Sequence, residues 1–279
     1  MKVALVGLGR TGKIVAEYLL RQQVLQMVFC RPNGPKANQD LGTFLHGKPT
    51  GIMIHTSDNL EEKLFQFRPD VLIDFSGPQF LRENIHILDK CAVSVVTAVT
   101  QYETADLEKF MRVAEKGSIG IVVAPNITYG VNILMLMTEI ASVLLEGYDF
   151  EILEEHHRYK KDSPSGTAKK IADKILQNLP DIQEIPTHAV RAGSVVGKHT
   201  VMMYGEYDQL EISHQSYSRE AFAQGAYKAA QFIQGKTGYY EMSDVFAYER
   251  KRKQEELFMR RALAEETYMK YPEPNSLLG

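Results

Sequence analysis

Two adjacent histidines, His156 and His157, end an alternating segment, and Lys160 follows three residues after the second. Phe150, Ile152 and Glu154 share one face of that segment, and Glu151, Leu153 and Glu155 share the other, which is the period of a strand. Ser163, Pro164, Ser165, Gly166 and Thr167 then close a loop ahead of an Ala/Ile-spaced helix reaching Ala172. Ser165 fits an N-cap, which puts Gly166 and Thr167 in a first helical turn whose backbone N–H groups are unpaired. Such a helix start is an anion site. Two imidazoles and an ammonium beside it make a basic cavity for a carboxylate or phosphate, with a proton donor in place.

Other readings compete. The histidines could be an incidental surface pair or the beginning of a metal site. Against the metal, adjacent strand residues point to opposite sides, and Lys160 would repel a cation. The lysine and the Ser-Gly-Thr helix start together favour a functional site over both alternatives.

A second chemical feature lies near the N-terminus. A buried strand from Lys2 runs into Gly7, Gly9 and Gly12 at G-x-G-x-x-G spacing, and a helix is expected from about Lys13 to Arg21. The first glycine allows a tight turn, the second lets a pyrophosphate approach the backbone, and the third lets helix and strand pack closely. A purely structural turn is the alternative. The next strand, Gln26 to Phe29, ends at Cys30 and Arg31, where an acid would hold ribose hydroxyls. Arg31, with Lys36 nearby, suits a 2′-phosphate, so NADPH is expected over NADH; a solvated surface arginine is the alternative.

The elements needed to carry these features alternate. After a poorly marked stretch with a possible short helix and a strand at Ile52–Ile54, strands are expected from Asp70 up to the loop at Phe75–Pro78, at Val93–Val96 and at Ile119–Val123. Helices are expected at about Gln79–Lys90, Ala105–Lys116 and Tyr129–Leu145. Beyond Gly147 the pattern becomes α+β, with strands at Phe150–Leu153, Thr200–Tyr204 and Gln209–His214 and a helix-like run from Glu220 to Gln234. Arg219, at the start of that run, suits a minor electrostatic role or a salt bridge, with the structural reading favoured. His188, His199 and His214 read as structural. A charged helix-like run from Tyr248 to Tyr268 follows, with Leu257, Met259, Leu263 and Met269 as a thin apolar edge, and the chain ends beyond Pro272 and Pro274.

The segment from His156 to Ala168 resembles the signature of the dihydrodipicolinate reductase family, with Ser163 where that family has alanine. The resemblance extends from Lys2 to Phe246. It includes Phe75 to Pro78, the run from Ala124 to Asn132, Arg191 to Gly193, Gly197 to Val201, and Gly235 to Phe246. It implies an α/β chain with a Rossmann-type dinucleotide-binding domain (residues 1–128 plus about 236–279) and a smaller α+β substrate and oligomerisation domain (129–235). It also implies NAD(P)H-dependent reduction of a small cyclic dicarboxylate imine, 4-hydroxy-tetrahydrodipicolinate, on the diaminopimelate route to lysine, by a homotetramer that needs no metal.

On that resemblance His156 is the general acid, and Lys160 stabilises developing charge or relays a proton. His157, Ser165, Gly166 and Thr167 bind substrate. Cofactor contacts come from Gly7, Leu8, Gly9, Arg10, Thr11, Gly12 and Arg31; from Phe75, Ser76 and Gly77; from Thr97, Ala98 and Val99; and from Ala124, Pro125, Asn126 and Ile127. The chain departs from the family at Thr97, Ala98, Val99 and Thr100, which replace Gly-Thr-Thr-Gly beneath the nicotinamide. Side chains there would push the ring, alter the loop or reshape the pocket. A paralogue acting on another cyclic imine and a nucleotide-sensing regulator are the rival readings; an intact His156 and Lys160 argue against the regulator.

Composition narrows the classes. The 279 residues carry a net charge of −3, which argues against nucleic acid as the main partner. Two cysteines, Cys30 and Cys91, lack CxxC spacing and point to a reducing compartment. The chain enters a strand at once and has no membrane-length apolar run, so a cytoplasmic protein without signal peptide or membrane span is expected.

Overall fold

A computed structural model describes the backbone of residues 1–270 and side chains as far as residue 261. The first half alternates strand and helix: β1 (Val3–Val6), α1 (Arg10–Arg21), β2 (Leu25–Cys30), α2 (Leu41–His46), β3 (Ile54–Thr56), α3 (Leu60–Phe67), β4 (Val71–Asp74), α4 (Pro78–Lys90), β5 (Ser94–Thr97), α5 (Thr104–Lys116) and β6 (Gly120–Val123). After these come α6 (Tyr129–Leu144), β7 (Asp149–His156), α7 (Gly166–Leu176), β8 (Thr187–Arg191), β9 (Gly197–Tyr204), β10 (Gln209–Ser216), α8 (Glu220–Ile233), β11 (Gly238–Glu241) and α9 (Met242–Lys270).

The strands β1, β4, β5 and β6 are buried along their whole length and rich in valine, isoleucine and leucine, as parallel strands covered on both faces must be. They join a seven-stranded sheet in the order β11-β6-β5-β4-β1-β2-β3. Every pairing in it is parallel. Chain order reverses at β1, so the loops after β1 and β4 meet there, at the place where doubly wound sheets bind ligands. Val6, Met27, Phe29, Leu72, Ile85, Phe110 and Ile121 belong to its core.

The second sheet has the order β10-β9-β7-β8, antiparallel except between β7 and β8. Phe150, Ile152, Val201 and Met203 from this sheet pack with Leu134 of α6 and Ile171 and Ile175 of α7. A contiguous unit spans Met1–Met242, and a separate one begins at Ser243. In the second, α9 carries Arg252 between Glu249 (3.7 Å) and Glu256 (3.2 Å), the spacing of helical ion pairs. Leu263 and Met269 lie beyond the described side chains, and Pro272 and Pro274 beyond the described backbone. No helix among the described residues is long and apolar enough to cross a membrane.

Three expectations need correction. The first helix begins at Arg10 and not near Lys13, because Gly9 is itself the N-cap. The weak strand at Ile52–Ile54 is Ile54–Thr56, followed by a helical turn and α3. Two strands were not foreseen. β8 hides in the polar run from Thr187 to Arg191, exposed at its three central residues, and β11 in the short run from Gly238 to Glu241.

Candidate active site

The loop after β1 is shaped for a ligand's backbone approach. Gly7 has φ +94°, and a Cβ there would fall 2.5 Å from Phe75 O. A Cβ on Gly12 would fall 2.0 Å from Gly7 O, whereas one on Gly9 would meet nothing within 4 Å. Gly9 caps α1 without a side-chain hydrogen bond, so the helix start presents free backbone donors beside open space. These features fit a dinucleotide pyrophosphate. Lys36 Nζ donates to Leu8 O at 2.6 Å, and Lys36 and Lys13 both lie over the Phe44 ring. Arg10 is exposed, Thr11 half-buried, and Arg31 exposed immediately after β2.

The neighbouring loop is held by a buried carboxylate. Asp74 Oδ1 accepts from the Ser76 N–H (2.8 Å) and Oγ (2.6 Å). Its Oδ2 accepts from Thr97 Oγ1 (3.2 Å) and Tyr102 Oη (3.3 Å). Burial raises the Asp74 pKa, against the lowering effect of these donors. Thr97 is fully buried and turned into this network, and Val99 N donates to its hydroxyl at 3.3 Å. Its side chain therefore faces the protein interior. Ala98 is half-buried, Val99 buried and Thr100 exposed; Phe75 and Gly77 are half-buried and Ser76 exposed.

The alternation of β7 places Phe150, Ile152, Glu154 and His156 inward and leaves His157 on the opposite, half-buried side. Glu154 and His156, two apart on one strand face, meet through Glu154 Oε2 and His156 Nδ1. The other carboxylate oxygen accepts from Arg191 Nη2 at 2.5 Å and from the Ser165 N–H at 3.0 Å. Arg191 comes from β8, paired in register with His156, and also donates to Asp162 O at 2.7 Å. His199, opposite Glu154 on β9, stands edge-on to His156 with ring centroids 5.2 Å apart. His199 Nε2 and Ser165 Oγ are 3.1 Å apart, and Ser165 Oγ also accepts from Ala168 N at 3.2 Å as the α7 cap.

Charge follows from this packing. Burial pushes the His156 pKa down, with Lys160 and Arg191 adding to the effect and Glu154 opposing it. Burial, then His156, takes His199 down to about 4. Burial alone would raise the Glu154 pKa, but Arg191, the Ser165 N–H and His156 outweigh it and hold the carboxyl below its usual value. Donor atoms of Glu154, His156 and His199 all lie within 4.8 Å of one another, a spacing a metal ion could use. Arg191 already neutralises the carboxylate and Lys160 adds positive charge, which argues against a cation at the trio.

Lys160 Nζ pairs with the Asp162 carboxylate at 2.9 Å. Burial raises the Asp162 pKa, while Lys160 and the Gly166 N–H are among the groups that bring it net below the usual value. Gly166 is exposed with open space at its Cβ position. Thr167 Oγ1 donates to Asn126 Oδ1 at 2.7 Å, which joins the α7 start to the loop after β6. In that loop Ala124 and Ile127 are buried, Pro125 exposed and Asn126 half-buried. His157 Nδ1 is buried without a hydrogen-bond partner among the described residues. Elsewhere, His188 pairs with Glu151 (3.1 Å), and His214 packs against Gly130 of α6.

The structure adds Glu154, Arg191 and His199 to the residues singled out for chemistry. Only the shared face of Glu154 and His156 was visible locally. Arg191 and His199 reach the pocket through strand register, which no short spacing encodes.

The family models described as dihydrodipicolinate reductase, N-terminus and C-terminus, match residues 1–127 and 130–246. A 4-hydroxy-tetrahydrodipicolinate reductase of Methanocaldococcus jannaschii is 35% identical over 268 residues, covering 88% of this chain and 97% of the relative. One from Ralstonia pickettii is 35% identical over 267 residues, covering 88% and 99%. A dipicolinate-bound dihydrodipicolinate reductase from Paenisporosarcina sp. TG-14 shares the fold, with a TM-score of 0.73, 23% identity, and coverage of 86% of this chain and 97% of that one. With both halves matched and relatives aligned almost end to end, the chain belongs to the dihydrodipicolinate reductase family.

Proposed function

We propose that this protein reduces 4-hydroxy-tetrahydrodipicolinate to tetrahydrodipicolinate on the diaminopimelate route to lysine. Water leaves, and a hydride and a proton are added. The observation that carries this reading is the buried Glu154–His156 pair beside the α7 helix start, which the Thr167–Asn126 hydrogen bond ties to the first sheet. NAD(P)H, when bound at the Gly7–Gly12 loop, supplies the hydride.

The chain's own groups do the rest. Gly166 and Thr167 offer backbone donors to a substrate carboxylate, and His157 and Lys160 add charged or polar hydrogen bonds. To reach that carboxylate, Lys160 exchanges its Asp162 partner for substrate. His156 delivers a proton from Nε2 to the carbon beside the reduced one, and Lys160 steadies the charge that develops. Arg31 and Lys36, at the end of β2 and against the glycine loop, support a preference for NADPH.

The same reading assigns residues 1–128 and the returning β11 to dinucleotide binding, and 129–235 to substrate binding and assembly. Pairing of β11 with β6 supports that return. A homotetramer belongs to it as well: α6 leaves Ile140 50% and Val143 63% exposed, apolar area of the kind subunit contacts cover. Unpaired Cys30 and Cys91 accord with the cytoplasm. The test is NADPH oxidation, followed by absorbance, with freshly generated 4-hydroxy-tetrahydrodipicolinate and then repeated with NADH. Substrate-dependent oxidation, faster with NADPH, is expected; cofactor binding without oxidation would overturn the substrate assignment.

A further inference from the structure

The pocket contains a group that the proposed reaction does not use directly. Glu154 is fully buried, yet its carboxylate stays ionised among Arg191, the Ser165 N–H and His156. A buried carboxylate is costly unless each oxygen is matched. Here the two oxygens have different partners. One is anchored by a guanidinium and a backbone N–H, and the other is left to the imidazole.

We propose that Glu154 is the positioning residue for His156: it accepts the Nδ1–H, fixes the neutral tautomer and ring plane, and so makes Nε2 the atom that carries the proton to substrate. The inference rests on His156 being the proton donor of the proposed reaction. Three features agree with it. A Cβ on Gly197 would stand 3.1 Å from His156 Nε2, so the glycine keeps that end of the ring uncrowded. His199 stands edge-on at 5.2 Å and limits ring rotation. Ser165 reports on both halves, since its N–H holds the Glu154 carboxylate while its hydroxyl caps α7. The acid and the anion-binding helix start are thus set by one residue.

The groups facing His156 are Glu154 on its own strand, Lys160 from the following loop, Arg191 from β8 and His199 from β9. Glu154 is the one whose charge favours the imidazolium. Removing that charge must therefore lower the His156 pKa, and a filler of space would not do this.

The experiment is nitrogen-15 NMR of histidine-labelled full-length protein across pH, for the natural chain, Glu154→Gln and Glu154→Asp. The natural chain should show neutral His156 protonated at Nδ1. Glu154→Gln should lower its titration midpoint and mix the tautomers, and Glu154→Asp should restore the midpoint in part. In turnover, Glu154→Gln should cut kcat by about 10- to 100-fold with little change in KM, a portion of what a general acid supplies. Its alkaline fall in kcat/KM should move to lower pH. An Nε2–H neutral tautomer in the natural chain, or an unchanged midpoint in Glu154→Gln, would overturn the inference, and the first needs no variant to fold. Full turnover by His156→Asn would instead overturn the catalytic reading, while the NMR result would still decide the role of Glu154.

Discussion

Asp74 and Glu154 are both fully buried carboxylates, one closing β4 in the first sheet and one on β7 in the second. Their surroundings differ. Among the described residues, the donors to Asp74 are the neutral groups of Ser76, Thr97 and Tyr102, and burial raises its pKa despite them. Glu154 has Arg191 and His156, and burial is outweighed. Neither side chain is exposed, but Asp74 lies deeper within the protein and meets only neutral donors, while Glu154 has the Arg191 cation beside it, so the tendencies are opposite. The first region uses its carboxylate to brace a loop, and the second keeps a negative charge beside an imidazole.

Removing the imidazole strikes the second region hardest. His156→Ala should lower kcat by about 10²- to 10⁴-fold in steady-state assays, the usual range for a lost general acid. Lys160→Ala should affect the same step and also raise KM. Near-normal turnover by both would mean that the charged network serves only the fold.

Arg31→Ala comes next, with KM for NADPH rising about tenfold and KM for NADH nearly unchanged, since only one ligand carries the phosphate. Equal effects on the two cofactors would place Arg31 outside the cofactor site.

The comparison sharpens in urea unfolding between about pH 3 and pH 6, around the ordinary carboxylate range. Glu154, whose folded pKa is lowered, contributes stability that is present above its unfolded value and is lost as pH falls through the folded value. Asp74 has the opposite sign: its raised folded pKa makes the folded chain bind more protons, so stability falls as pH rises through that range. Glu154→Gln should flatten a gain with pH, and Asp74→Asn should flatten a loss. Slopes changing in the same direction would remove the distinction. The smallest effect belongs to Thr97→Val, which should cost about 1–2 kcal/mol by taking a hydroxyl from the Asp74–Tyr102 network.

Much of the frame was legible because its signals are local. The β-branched apolar run from Val71 to Ile73, leading into a small-residue loop, fits a strand covered on both faces. Ser165 at its cap position announced α7, and the alternation from Phe150 to Glu154 carried through to His156. The polar half of the pocket was less legible. Arg191 sits on a strand with little apolar pattern, and His199 reads as one more histidine until β9 pairs with β7. Likewise, Thr97 in place of a glycine looked like an intrusion on the cofactor, yet the structure turns its hydroxyl toward Asp74, a partner 23 residues away.

The most direct measurement is a turnover with NADPH deuterated at the transferable position, in ordinary and then heavy water, with the product ring examined by NMR. One cofactor deuterium is expected on the ring carbon and one solvent deuterium on its neighbour, with both lost in His156→Ala on the same timescale. Oxidation of NADPH that leaves no cofactor deuterium in the ring would contradict it.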